Sequence, residues 1–344
     1  MPAERTGAAA SNDAPLPPRP AVPRSVASPL GASSTSDRRS WLWALTLLGT
    51  VLGGSLALAS ALYLIGHDGG RAYDTQAYWL AGRRVLDGTA LYSQASVSDL
   101  GAYKYPPVFA QIFVPAALLP ELLVAWLWRI SGILCLRYIV GSWRAAIVAC
   151  AFIPVLTELS LGNVTLQLAA VLVLAMRDRR GAYLLPWAVA LKFGPALLVP
   201  FLWFRMPATR RPLIAGTAVF AAACLTSYAI APGAWSDYVA TFGWENGSLM
   251  SGGGVIAVVP AWGGLDFVLR FAFAGVVALY AVYSRRGWLA YAAAAVTCPV
   301  MAISRLAPLV GLWRFRPVGW PGTRRRTVRK ADTPPGAQPL EASS

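Results

Sequence analysis

The chain has 344 residues, 56% of them hydrophobic and 13% charged, and its mean hydropathy is +0.52. Repeated apolar runs of about twenty residues exceed what a soluble core can bury, so a soluble globule is excluded and an all-α polytopic membrane protein is predicted. The net charge of +15 arises from 30 Lys+Arg against 15 Asp+Glu; these cations gather between apolar runs and in both tails, which is a topology signal and a poor match to nucleic-acid binding.

Residues 1–40 are rich in Pro, Ser and Ala without apolar periodicity, and are predicted to be a disordered cytoplasmic tail. Trp41 to Ile65 is too long for a signal peptide and follows Arg38 and Arg39, so it is predicted to be the first span, with the N-terminus in the cytoplasm. That span delivers an outer loop, about 66–105. Within it, Tyr78, Trp79, Ala81, Val85 and Leu86 fall on one side of a helical wheel and Gln76, Arg83, Arg84 and Asp87 on the other, which predicts a short amphipathic helix in the membrane interface. On this reading Tyr73, Tyr78 and Trp79 sit at headgroup depth, Asp87-Gly88 ends the helix, and Asp74 occupies the N-cap. A carboxylate placed there also suits a general base facing a cavity. His67 and Asp68 just before it are either a proton-handling pair or solvated surface.

Next comes Tyr103-Lys104-Tyr105-Pro106-Pro107, where the double proline predicts an extended approach to the following apolar run. Only three of the 30 cations are lysines. Lys104 lies at the expected outer headgroup level, where it either snorkels or holds a phosphate. Lys192 interrupts an apolar run, and intramembrane ionisable residues are expensive enough that a functional role is the better expectation. The polar break Gly162-Asn163-Val164-Thr165-Leu166-Gln167, preceded by Glu158, either lines a cavity or bonds between helices.

Apolar segments follow at about 107–119, 121–140, 145–160, 164–176, 182–203, 212–231, 265–283 and 288–313. If every run between 105 and 177 crosses, the Arg177–Arg180 cluster falls outside, so either one run is re-entrant or the cluster is an exception. A total of about 8 to 11 transmembrane or re-entrant helices is expected. A second outer loop, about 232–264, carries Trp235, Asp237, Tyr238, Trp244, Glu245 and Gly252-Gly253-Gly254, and residues 314–344 form a basic tail. The four cysteines lie inside apolar runs without metal-ligand or disulfide spacing and read as core residues.

Three stretches in order, "AYDTQAYWLAGRRVLDGTALY", "YKYPPVFAQIFVPAALLP" and "AVALKFGPALLVPFLWFR", with the "GNVTLQ" break before the last, resemble glycosyltransferase family 87. These are polyprenyl-phosphate-mannose-dependent mannosyltransferases of the GT-C superfamily. The resemblance implies residues 41–313 as a GT-C-like membrane domain in the plasma membrane. It also implies an inverting transfer of a mannose-type sugar from a polyprenyl phosphate to a lipid or glycan acceptor on the outer face. Asp74 would then be the catalytic base, with Lys104, Lys192, Arg83 and Arg84 as candidate cations for the leaving phosphate. Tyr105, Asn163 and Gln167 are further candidates for substrate binding. No metal or organic cofactor is implied, since Arg and Lys alone can meet a monophosphate. The family's usual Gly-Gln-x-Asn break is here Gly162-Asn163-Val164-Thr165. A carrier or flippase for a lipid-linked or small polar substrate, and a non-catalytic relative, are the competing readings.

Overall fold

The computed structural model describes residues 34–92, 103–241, 264–297 and 303–315. Trp244, Glu245, the Gly252–Gly254 run, both tails and the side chains of His67 and Asp68 lie outside the described residues. The chain divides into two units, Met1–Leu45 and Thr46–Ser344. Of the first unit, only the opening of a helix that begins at Ser34 is described.

All regular structure among the described residues is helical. In chain order the helices are α1 (Ser34–Asp68), α2 (Tyr73–Leu86), α3 (Pro107–Ile112), α4 (Val114–Ala117), α5 (Glu121–Val140), α6 (Trp143–Ala149), α7 (Ile153–Leu161) and α8 (Thr165–Arg177). They continue as α9 (Leu185–Leu191), α10 (Val199–Arg205), α11 (Arg210–Ile230), α12 (Pro232–Thr241), α13 (Gly264–Ser284) and α14 (Gly287–Val296). Short 3-10 stretches include Gly194–Leu198 and Ile303–Phe315.

Among the described residues, three helices are long and apolar enough to cross a membrane: Trp43–Gly66, Glu121–Val140 and Pro207–Ile230. Large side chains such as Leu62 on α1, Leu127 on α5 and Leu225 on α11 point outward. That arrangement suits helices solvated by hydrocarbon, where an exposed apolar face carries no penalty. The protein is therefore an all-α membrane protein.

Elsewhere the apolar runs are broken where the sequence removes backbone donors. Pro106 precedes α3 and Pro107 opens it, as the double proline predicts, and Pro115 opens α4. Helices α6 and α7 together would span but bend by 94° at their junction, with a proline in the first turn of α7. A pair bent this sharply is a broken span or a re-entrant segment.

The main core lies among α5, α7, α8, α10 and α14, with Leu136, Val155, Leu172, Leu202 and Tyr291 at its centre. A second, aromatic cluster joins α2 to α3, α5 and α12. There Tyr78 packs against Tyr105, Phe113 and Trp128 at centroid distances of 5.5, 5.3 and 5.5 Å.

On α2, Tyr78 is only 4% exposed and packs within the protein, and the Trp79 indole donates to the Leu119 carbonyl at 2.9 Å. The N-cap expectation is corrected. Ala72, not Asp74, is the N-cap, and it makes no side-chain capping bond. Asp74 stands inside the first helical turn, near the positive end of the helix dipole, with its carboxylate free to reach across to another element. The C-terminus is as expected, with Asp87 as C-cap and Gly88 at φ +64.

Candidate active site

Asp74 meets the polar break that follows α7. Helix α7 ends at Gly162, whose φ of +66 belongs to the left-handed region that glycine adopts without penalty. A side chain there would also force its neighbours to shift, since a Cβ would lie 2.2 Å from the Thr75 hydroxyl and 2.9 Å from the Ala72 Cβ. The close approach lets Thr75 donate to the Gly162 carbonyl at 2.9 Å. It sets the next residue, Asn163, against α2, and the Asn163 amide nitrogen donates to an Asp74 carboxylate oxygen at 2.5 Å.

The other face of the same amide meets Lys192. Helix α9 stops at this lysine, whose backbone is extended (φ −151, ψ 130). Its ammonium donates to Asn163 Oδ1 at 3.0 Å and to Thr165 Oγ1 at 2.5 Å. Thr165 in turn donates to Asn163 Oδ1 at 3.2 Å. With a carboxylate on one side and an ammonium on the other, the amide orientation of Asn163 is unambiguous. The result is a carboxylate and an ammonium held on opposite ends of one amide, brought together from α2, the α7–α8 junction and α9.

Thr165 is also the first residue of α8, so the first-turn N–H groups, which point out of the helix, and its positive dipole end lie beside the ammonium. A phosphate oxygen at this corner would meet a full positive charge, a hydroxyl and helix-terminal donors together. From here a narrow cavity of about 20 Å³ continues between α8 and α14, bounded by Leu168, Leu172, Ala294 and Pro308 as well as by Thr165 and Lys192. A larger cavity of about 750 Å³, lined by Arg71, Tyr73, Gln76 and Glu121 among others, contains none of the predicted site residues. Lys192 lines the smaller cavity, and Asp74 lines neither of the two.

Of the sequence-predicted residues, then, Asp74, Asn163 and Lys192 come together, Gln167 touches Asn163 from behind, and Arg83, Arg84, Lys104 and Tyr105 make other contacts or are exposed. Gln167 braces the start of α8. With its amide oriented to satisfy both ends, the oxygen accepts from Ser131 at 2.9 Å and the nitrogen donates to the Asn163 and Val164 carbonyls at 3.2 Å. Arg83 forms an ion pair with Asp87 at 3.8 Å, and Arg84 donates to the Leu91 carbonyl at 3.1 Å. Lys104 is exposed. Tyr105 belongs to the aromatic cluster, its hydroxyl 3.3 Å from that of Tyr78 and its carbonyl accepting from Tyr92 at 2.6 Å.

Two participants were not singled out from sequence. Thr165 lay within the polar break but not among the candidates. Arg129 is 5% exposed in the middle of the apolar helix α5, and the reasoning that drew attention to Lys192 applies to it equally.

An all-α membrane fold with a carboxylate, an amide and an ammonium converging beside a helix N-terminus defines a membrane enzyme with the means for acid–base and anion chemistry. A family model for glycosyltransferase family 87 matches residues 103–311, a stretch that contains Asn163, Thr165 and Lys192. The match covers more than half of the chain, and the protein belongs to glycosyltransferase family 87: it is a membrane glycosyltransferase. No curated protein and no solved structure matches it.

Proposed function

We propose that the protein transfers a hexose, mannose being the sugar the sequence resemblance suggests, from a polyprenyl-phosphate sugar to a hydroxyl of a lipid or glycan acceptor. The reaction takes place on the outer face of the plasma membrane, with the N-terminus of the chain in the cytoplasm. Asp74 removes the proton of the acceptor hydroxyl as its oxygen attacks the anomeric carbon. The bond from that carbon to the phosphate oxygen breaks on the opposite side, the configuration inverts, and polyprenyl phosphate leaves with the bonding pair. Lys192 and Thr165, at the N-terminus of α8, receive the leaving phosphate oxygens.

The observation that carries this reading is the Asp74–Asn163–Lys192 chain of hydrogen bonds. An in-line displacement needs its base on the acceptor side and its cation on the leaving-group side. A carboxylate and an ammonium in direct contact would neutralise each other, and the intervening amide keeps them close but separate. The charge of a monophosphate leaving group falls within what these groups can stabilise, so transfer is expected to persist in EDTA.

The test is transfer of radiolabelled mannose from polyprenyl-phosphate mannose to membrane-lipid acceptors by purified protein, comparing wild type with Asp74→Asn. Transfer that survives the substitution overturns the base assignment. Absence of transfer from any lipid-phosphate sugar, together with substrate flux in proteoliposomes, would identify a carrier instead.

A further inference from the structure

The Asp74–Asn163 contact joins segments 89 residues apart in sequence, and something must hold them in register. The guanidinium of Arg129 lies behind both. It donates to the carbonyls of Gly70 and Arg71 on one side and to those of Leu159 and Ser160 on the other, at 3.2 and 3.1 Å. The bond to Arg71 is 2.5 Å. Asp74 follows Arg71 by three residues, and Asn163 follows Ser160 by three. The guanidinium thus grips both segments of the site three residues ahead of the contact they form.

The chemistry of each partner suits this role. Leu159 and Ser160 belong to the last turn of α7, where backbone carbonyls lack intrahelical donors and the helix dipole is negative. Gly70 and Arg71 form the turn between α1 and α2, where Gly70 has φ +82. A Cβ on Gly70 would come within 3.0 Å of the Trp126 indole nitrogen. The same Trp126 ring lies 5.0 Å from the guanidinium carbon, completing a pocket for the cation. A planar fork with five donors can serve two separated pairs of carbonyls, which a single ammonium nitrogen cannot.

We infer that Arg129 is a positioning residue: its buried guanidinium clamps the Gly70–Arg71 turn to the end of α7 and so sets the Asp74 carboxylate against Asn163. The clamp is a matter of structure, and its effect on rate rests on the reading of Asp74 as the base.

The test combines hydrogen–deuterium exchange on the full-length protein in lipid nanodiscs with transfer kinetics, for Arg129→Gln and Arg129→Lys. In Arg129→Gln, exchange in segments 69–79 and 159–168 should accelerate at least about tenfold while segment 210–230 is unchanged, because opening is local when a single clamp is lost. The value of kcat should fall about 10- to 100-fold with donor KM within about threefold, as misplacement of a reacting group by an ångström does. Arg129→Lys keeps the charge without the fork and should recover part of the protection and of kcat.

Unchanged exchange in both segments would overturn the inference. So would a loss of protection that extends equally to 210–230, which would make Arg129 a general folding residue. If Arg129→Gln does not fold, Arg129→Lys is judged by the same criteria. If wild-type protein transfers no lipid-phosphate sugar, the proposed function fails while the exchange measurement still decides the clamp.

Discussion

The two ends of helix α2 carry similar numbers of polar side chains and use them in opposite ways. At its N-terminus, Asp74 and Thr75 bond to Asn163 and to the Gly162 carbonyl, 89 and 87 residues away in sequence. At its C-terminus, Arg83 pairs with Asp87 one turn on, with side chains 43% and 53% exposed, and Arg84 reaches back to the nearby Leu91 carbonyl. Water is available to the second pair, so that ion pair is worth little. The first pair is packed between helices, where a polar group must find a partner within the protein. Groups that need distant partners are the ones that assemble a site, and groups that can be satisfied locally are left at the periphery.

The comparison breaks most severely if the N-terminal end is altered. Asp74→Asn is nearly isosteric and should lower transfer by about 10²- to 10⁴-fold, the range associated with a lost general base, while donor binding measured separately is retained. Lys192→Met should follow, with a loss of about 10²- to 10³-fold in kcat as leaving-group stabilisation disappears. A small change in kcat with a large rise in donor KM would instead make the lysine a ground-state binder. Gly162→Ala tests the junction itself. The left-handed backbone alone costs an alanine about 1–2 kcal/mol, and the clash with Thr75 adds to it, so a lowered melting temperature should accompany reduced activity.

The aromatic cluster next to α2 gives a gentler, pH-dependent prediction. Burial, and then neighbouring Tyr238 and Asp237, raise the Tyr92 phenol well above its ordinary value. Burial, and then Cys224, push Tyr238 up to about 12 from 10.0. The folded protein therefore holds these protons more tightly than the unfolded chain does. The stability they contribute is complete below pH 10 and is lost as the pH rises through about 12 for Tyr238. An alkaline titration followed by tyrosinate absorbance and thermal unfolding should show late ionisation coupled to loss of stability, with Tyr238→Phe removing part of that dependence. Ionisation of Tyr238 at its ordinary value would contradict it. The smallest effect belongs to the exposed end of α2: Arg83→Gln should change stability by less than about 0.5 kcal/mol and leave transfer essentially unaltered. A large loss of transfer would show that the two ends act together.

How much of this was legible in the sequence depended on what each residue interrupts. Lys192 and Gly162-Asn163 stood out because they break apolar runs, where any polar group implies a partner. Asp74 was found for its place after the first span, but its role as N-cap was misjudged, since a side chain that caps its own helix and one that reaches another element occupy neighbouring positions in the same first turn. Arg83 and Arg84 were singled out on the polar face of α2 and Lys104 for its place at the expected headgroup level, and neither a helix face nor a depth says which other element a cation meets. Gln167 was polar in the right segment yet serves to brace α8. Arg129 carried a signal as strong as that of Lys192, but nothing in one-dimensional spacing indicated which carbonyls it would hold.

Composition and apolar runs were sufficient by themselves to determine a helical membrane protein, its proline breaks and the polar residues that hydrocarbon would not tolerate without partners. The order of motifs was sufficient to suggest the family. Only the tertiary structure decided which of those polar residues meet, because a contact between α2, the α7–α8 junction and α9 depends on the close backbone approach that Gly162 permits. Hydrophobicity is a property each residue carries locally, whereas a base and a cation become a site only through the distances between elements far apart in the chain.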